Sequence, residues 1–293
     1  MVAPAIALGV TLKLFAEDKN DSAAQICDHV IGDFHNLKEV LEFARLCDVI
    51  TVEHGLVPPS VIKGLEAAGI RVYPRSSSIE LVRDETDLNK ELQSIDVKSE
   101  IVMLVARSPH GQASTWAATE MIKKNGGCIR TITPARNLTS EQLELASARA
   151  LMSAERVGLV GVMAVEMSIR GETICIHHIA MHPHNGGLWT IDGSVTSQCE
   201  QHLRAILDLP LGDPGMTSPF AVMGNVFGGE KSDMFRPYLH LMARNPELKI
   251  HQYRTDVHPS SHVAHVSAVG ENLKHVEELI VHACDYMTGT IDE

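Results

Sequence analysis

The spacing of apolar and polar positions changes rhythm several times along the chain. Val10 to Phe15 alternates with a period of two and predicts a strand. Asp21 to Cys27 is a polar connection. From Leu37 to Leu46 the apolar residues recur at three and four positions, the spacing of a helix. Asp48 to Val52 is a short strand rich in β-branched residues. Pro58 to Ala68 predicts a second helix, with proline early and Gly69 as its stop. Arg71 to Tyr73 is another short strand, closed by Pro74. Alternating strands and helices with short links predict an α/β unit with a parallel sheet.

Beyond Ser78 the rhythm differs. Ile79 to Ser94 is highly charged and reads as a helix or a connection. Glu100 to Ala106 is a strong strand, and Gly111–Glu120 and Cys128–Thr133 predict two more around a turn at Asn125-Gly126-Gly127. Ser140 to Glu155 predicts a helix capped by Ser140, with acids in its first turns. Gly161–Met167 and Thr173–Ile179 predict an antiparallel pair across Arg170-Gly171-Glu172. A helix over Thr196–Leu207, a strand within Met216–Val226, an alternating run at His262–Val269 and a closing helix at Asn272–Met287 complete the pattern. The composition turns charged near Arg83–Gln93, which sets the first expected domain boundary.

Composition narrows the function classes. The 293 residues are 44% hydrophobic and 21% charged, an ordinary globular balance that excludes a disordered or collagen-like chain. The net charge of −12, with no Lys/Arg run, argues against a nucleic-acid or anionic-membrane surface. The six cysteines form no CxxC pair and read as reduced thiols. No apolar run reaches the ~18 residues a membrane span needs, and the first ten residues lack a basic region ahead of their apolar run. The expectation is a soluble, cytoplasmic protein. Aromatics are only 4%, so the core is expected to be aliphatic; histidine, at 16 residues, raises the question of where it clusters.

The answer is the segment Gly161–Gln198. Glu166 stands at the end of an apolar strand, where a lone carboxylate is costly to bury unless it is paired or metal-bound. The next strand ends in His177-His178, and His182 and His184 follow within the same eight residues. One carboxylate and imidazoles on adjacent strand ends suit zinc, manganese or another borderline metal better than magnesium. Strand alternation offers the opposite reading, with His177 and His178 on different faces and no shared ion.

The segments GVMAVEM and IAMHPHNGGLWTIDG, followed by VTSQCEQHLRAILDLPLGDP, resemble the 5-(carboxyamino)imidazole ribonucleotide synthases, ATP-grasp ligases of purine biosynthesis. The resemblance continues in order through DSAAQICDHVIGDFHNLKEVLEFARLCDVITVE, LEAAGIRVYP, VARSPHGQ, IRTITPAR and AHVSAVGENL. It implies a Rossmann-like preATP-grasp domain at 1–83, a reduced ATP-grasp domain at 84–212 and a small β-rich C-terminal domain with a closing helix at 213–293. It further implies ATP and magnesium as cofactors, AIR and bicarbonate as substrates, and a homodimer. Carried over by position, Glu166 and His178 fall where the family binds metal. His184, Asn185 and Gly187 fall at the substrate, Arg107 and Arg136 are cleft arginines, and Glu91 is the hinge that touches adenine.

Several positions depart from the family. Ala3 to Gly9 replaces its GGGQL turn, and the block carrying the lid lysines is missing between Arg83 and Glu91. His178 and His182 stand where the family has a Glu and an Arg, Gly186 and Leu188 replace the Ser and His of HNSGHW, and Gly55 replaces a second acid after Glu53. His258 to His265 replaces RPGRKxGH, whose Arg-Lys pair suits a phosphate. Phosphoryl transfer depends on such charges. Three functions are therefore weighed: a ligase that carboxylates AIR, a catalytically silent relative that binds a ligand or acts as a subunit, and a binder of a transition metal.

Overall fold

The computed structural model describes residues 1–89, 99–124, 127–170, 173–228, 233–253, 257–258 and 261–291. The first part is α/β. Helix α1 (Val2–Ala7) precedes strands β1 (Lys13–Ala16) and β2 (Asp28–Ile31), which pair in parallel from Lys13↔Asp28 to Ala16↔Ile31. Helix α2 (Leu37–Ala44), strand β3 (Ile50–Thr51), helix α3 (Pro59–Ala67), strand β4 (Val72–Tyr73) and helix α4 (Ser76–Asn89) follow. β3 and β4 are also parallel, but the two pairs are separate ladders rather than the single sheet expected. Asn36 caps α2 by accepting from the Lys38 N–H, and Pro59 opens α3 where no backbone donor is needed. Val40, Phe43 and Ala44 of α2 pack against Val61, Ile62 and Leu65 of α3 over Ile50 and Val72. The helices approach so closely that a Cβ on Gly64 would lie 2.6 Å from Leu37.

Residues 2–7 are helical rather than extended. They form α1, whose Ala5 is buried with Tyr73, Leu203 and Ile206.

The rest is built on one antiparallel sheet. Its strands are β5 (Ser99–Arg107), β6 (Ala113–Thr115), β7 (Thr119–Lys124), β8 (Gly127–Thr133), β9 (Gly161–Arg170), β10 (Thr173–Ala180), β11 (Phe220–Phe227), β12 (Lys249–Gln252) and β13 (His262–Gly270). The order is β10-β9-β5-β7-β8-β11-β13-β12, with β6 beside β5. β11, β12 and β13, expected to form a β-rich piece of their own, extend this same sheet. The single strand expected over Gly111–Glu120 is broken at Trp116, whose buried indole N–H is shared between Ser194 Oγ and the Thr196 carbonyl.

Alternation along the strands sorts the sheet into two faces. On one face Ile101, Met103, Val105, Met163, Val165 and Met167 bury against helix α5 (Ser140–Arg156). Beside them, Ile132, Val222 and Ala268 bury against α9 (Leu273–Thr288), with helix α8 (Arg236–Arg244) alongside. The cap of α5 is Thr139, not Ser140. Thr139 Oγ1 accepts from the Gln142 N–H, and the Gln142 side chain accepts from the Thr139 N–H. The other face carries Val102, Leu104, Ala106, Val162, Ala164, Met121 and Met223. It is covered by a 3₁₀ turn at Asn185–Gly187, a short helix α6 (Thr190–Gly193) and helix α7 (Gln198–Ile206). No described helix is long and apolar enough to cross a membrane.

Candidate functional site

The covering segments seal only part of the second face. Along β9, Val162 and Ala164 are buried on it, and the next residue of that parity is Glu166. Glu166 lies in register with His178 of β10 and Val102 of β5. Paired residues of an antiparallel ladder share a face, so His178 lies on the Glu166 face. The register breaks between Ile176 and His178, which makes His177 the extra residue of a bulge. Simple alternation could not have foreseen this.

The partners of the Glu166 carboxylate are not the expected one. Among the described residues they are His184, whose Nε2 is 3.3 Å from Oε1, and Lys123, whose Nζ is 3.0 Å from Oε2. His178 itself is exposed. Lys123 also reaches Glu100 Oε2 at 2.6 Å. Burial alone would raise the Glu166 carboxyl, but the hydrogen bonds from His184 and Lys123 outweigh it and bring the pKa down to about 2. Lys123 shows the mirror case: burial opposes its charge, yet Glu100 and Glu166 leave its pKa raised.

His184 is fixed from three sides. Its Nδ1 accepts from the Gly186 N–H at 3.1 Å, so the proton of the neutral ring sits on Nε2, facing Glu166. Gln198, wholly buried at the start of α7, accepts from the His184 N–H at 2.9 Å and donates to its carbonyl at 2.8 Å. Gly187 packs directly on the sheet, where a Cβ would lie 2.6 Å from Leu104. The side chain of Asn185 is exposed beside this turn.

The structure does not bring the remaining candidates here. Arg107 ends β5, in register with Gly161, and donates to the Leu159 carbonyl at 3.0 Å. Five strand residues separate it from the Glu166 register, roughly 17 Å. Its parity with Val105 puts it on the helical face. Arg136 is also on that face, held by Glu120 through Nε–Oε2 at 2.8 Å and Nη2–Oε1 at 2.7 Å, with Glu277 3.4 Å from Nη1. Both are structural contacts where cleft contacts were expected. Glu91 lies outside the described residues.

Magnesium wants several hard oxygens in an octahedron. The oxygens gathered here belong to Glu166 and Glu100, and both carboxylates already hold Lys123. For zinc or manganese, Glu166 and His178 belong, among the described residues, to no group of three ligand atoms within 4.8 Å of one another. Among the described residues, the only group with three ligand atoms within 4.8 Å of one another is Glu17, Asp33 and His35, all exposed on the first domain. The residues around Glu166 do not fit a resident metal.

Reasoning from sequence missed Glu100, Lys123 and Gln198, and also His202. The fully buried His202 ring accepts at Nδ1 from the Val162 N–H (3.2 Å), and its Nε2–H donates to Thr51 Oγ1 (2.7 Å), tying β9 to the first domain. Burial lowers its pKa to about 4. A polar network further along the same face was missed as well. His251 Nε2 meets Asp192 Oδ2 at 2.8 Å, Ser267 donates to the same oxygen, and Tyr253 Oη lies 2.6 Å from His265 Nδ1. The alternation of β7 would have put Lys123 on the Glu166 face had the order β9-β5-β7 been known.

Comparison with known proteins settles the class. Residues 1–83 match the ribonucleotide synthetase preATP-grasp domain, and residues 84–199 match the ATP-grasp domain. The fold and the open face are thus those of an ATP-grasp protein with its preceding α/β domain. The chain is 29% identical over 344 positions to the N5-carboxyaminoimidazole ribonucleotide synthase of Mycobacterium bovis, covering 92% of this chain and 80% of the relative. It is 27% identical over 350 positions to that of Corynebacterium ammoniagenes, covering 93% and 85%. The crystal structure of the Thermus thermophilus N5-carboxyaminoimidazole ribonucleotide synthetase superposes with a TM-score of 0.87 at 22% identity (99% and 96% covered). For the Aspergillus clavatus synthase, solved with ADP and 5-aminoimidazole ribonucleotide, the TM-score is 0.88 at 21% identity (99% and 95% covered). Along nearly its whole length the chain is thus similar to the N5-carboxyaminoimidazole ribonucleotide synthases. The alignment with the Mycobacterium relative is longer than the 293 residues of the whole chain, so that relative carries inserted residues with no counterpart here.

Proposed function

We propose that this protein is an ATP-dependent ligase that joins 5-aminoimidazole ribonucleotide to the carbon of bicarbonate, forming N5-carboxyaminoimidazole ribonucleotide. The observation that carries the reading is the family match across both domains in order, at 29% identity over nearly the whole chain. The site chemistry supports it. Glu166 stays ionised at any physiological pH, and the Nε2–H of His184 is aimed at it, both on an open face beside a turn of closely packed glycines. A fixed N–H donor and a fixed carboxylate position a polar substrate. His184 is better placed to donate than to take a proton, because Nδ1 is already occupied by the Gly186 N–H.

His184, Asn185 and Gly187 form the substrate-binding turn in this proposal, with Glu166 as its anchor. Arg107 and Arg136 have no part in it. ATP is taken as the nucleotide because relatives were solved with ADP and with ATP. The division near residue 83 between the first domain and the rest, the cytoplasmic location and the homodimer belong to the same proposal. Exposed Ile6, Leu46 and Leu56 leave aliphatic surface on the first domain for a second copy. Incubation with ATP, magnesium, bicarbonate and AIR should release ADP and phosphate in an AIR-dependent manner, and His184→Ala should reduce that rate by about 100-fold or more. ATP turnover that ignores AIR, or none at all, would refute the reading. Sedimentation at micromolar concentration should show a dimer, and a monomer alone would remove that part.

A further inference from the structure

Glu100 and Glu166 sit on neighbouring strands, on one face, two register positions apart. Glu100 is in register with Ser168, and Glu166 with Val102. Two carboxylates this close repel each other unless a cation lies between them. That cation comes from a third strand. Along β7, Thr119, Met121 and Lys123 share one parity; Thr119 is in register with Val102, and Met121 is buried in the core of the same face. Strand alternation therefore delivers the ammonium of Lys123 to both carboxylates, at 2.6 and 3.0 Å.

We propose that Lys123 is the resident cation of this site: its ammonium takes the place between Glu100 and Glu166 that a divalent ion would need, and keeps metal out. The inference deepens the ligase reading and rests on it only in supposing that a divalent ion would otherwise be wanted here. The geometry is restrictive. A magnesium or manganese ion on Glu166 would sit about 2.1 Å from a carboxylate oxygen. Oε2 already has the ammonium 3.0 Å away, and Oε1 faces the His184 N–H at 3.3 Å. The incoming ion would meet a fixed positive charge at close range in a partly buried setting, where screening is weak. Lys123 is tied to a strand rather than to a loop, and two carboxylates hold its ammonium in place at 2.6 and 3.0 Å. With one ammonium against two carboxylates, the trio keeps one net negative charge.

The test uses the full chain and manganese alone, titrated by electron paramagnetic resonance. The unmodified protein should show no manganese binding that Glu166→Gln removes; this difference sets aside any weak binding at the exposed Glu17, Asp33 and His35. Lys123→Met should tighten manganese binding at least tenfold. Adding Glu166→Gln to Lys123→Met should cancel the gain, and Lys123→Arg should leave binding weak. No gain in Lys123→Met, or manganese bound through Glu166 in the unmodified protein, overturns the proposal. If Lys123→Met does not fold, amine acylation of the unmodified protein, read by mass spectrometry, decides. Lys123 should be equally protected with and without magnesium, whereas unmasking by magnesium means displacement and overturns the idea. Neither measurement uses AIR or bicarbonate, so a failed ligase assay leaves this inference standing.

Discussion

The two faces of the large sheet carry the same kinds of charge and treat them differently. On the helical face, Arg136 grips Glu120 with two parallel hydrogen bonds, and Glu277 bridges Arg136 and Arg130. Two arginines and two glutamates pair off there, between the core under α5 and the core under α9. On the other face, one ammonium serves two carboxylates, and one of those carboxylates also faces an imidazole N–H. The first arrangement is closed and the second leaves a residual charge beside an uncovered stretch of sheet. An arginine fork satisfies a carboxylate completely, whereas a lysine shared between two does not.

The largest expected effect tests the join between the open face and the first domain. His202 is buried neutral, with its pKa lowered from 6.5 to about 4, so it is the unfolded chain that takes up the proton between those values. The stability tied to this residue is complete above pH 6.5 and is lost as the pH falls from 6.5 toward 4, by about 3 kcal/mol. Urea unfolding at stepped pH should show the loss, and His202→Gln should flatten it.

A smaller effect is expected at the glycine turn. Gly187→Ala forces a methyl against Leu104 and Gln198 and should cost about 2 kcal/mol. Because Gln198 holds both backbone groups of His184, the same change should also weaken substrate binding. The smallest effect separates the faces. Arg136→Ala leaves Glu120 short of its main partner, but both side chains keep some access to water, so the expected cost is about 1 kcal/mol. Manganese binding in a Lys123→Met background should not change. A change there would mean that the two faces are coupled.

How much of this could be read from the sequence depends on how far apart the partners lie. The β9/β10 hairpin followed from two apolar runs around a short turn, and the closing helix from its spacing. Glu166 and His178 were expected in one cleft, with His184 and Asn185 nearby, because they end adjacent strands. Register puts His178 opposite Glu166, as expected, but Lys123 and His184 are the groups that bond the carboxylate. Lys123 and Glu100 could not be read because their meeting depends on strand order, with β5 between β9 and β7, and no local pattern encodes that order. The Arg136–Glu120 contact could not be read for the opposite reason: an arginine after a strand looks the same whether it faces a cleft or a glutamate on the neighbouring strand.

Helix α7 has a mechanical consequence. Gln198 at its first turn holds the backbone of His184, and His202, one turn later on the same side, holds Thr51 of the first domain. Both grips belong to a single rigid rod of nine residues. A rocking of the first domain against the sheet is therefore handed to His184 as a lever hands on a push, with no slack loop between to absorb it.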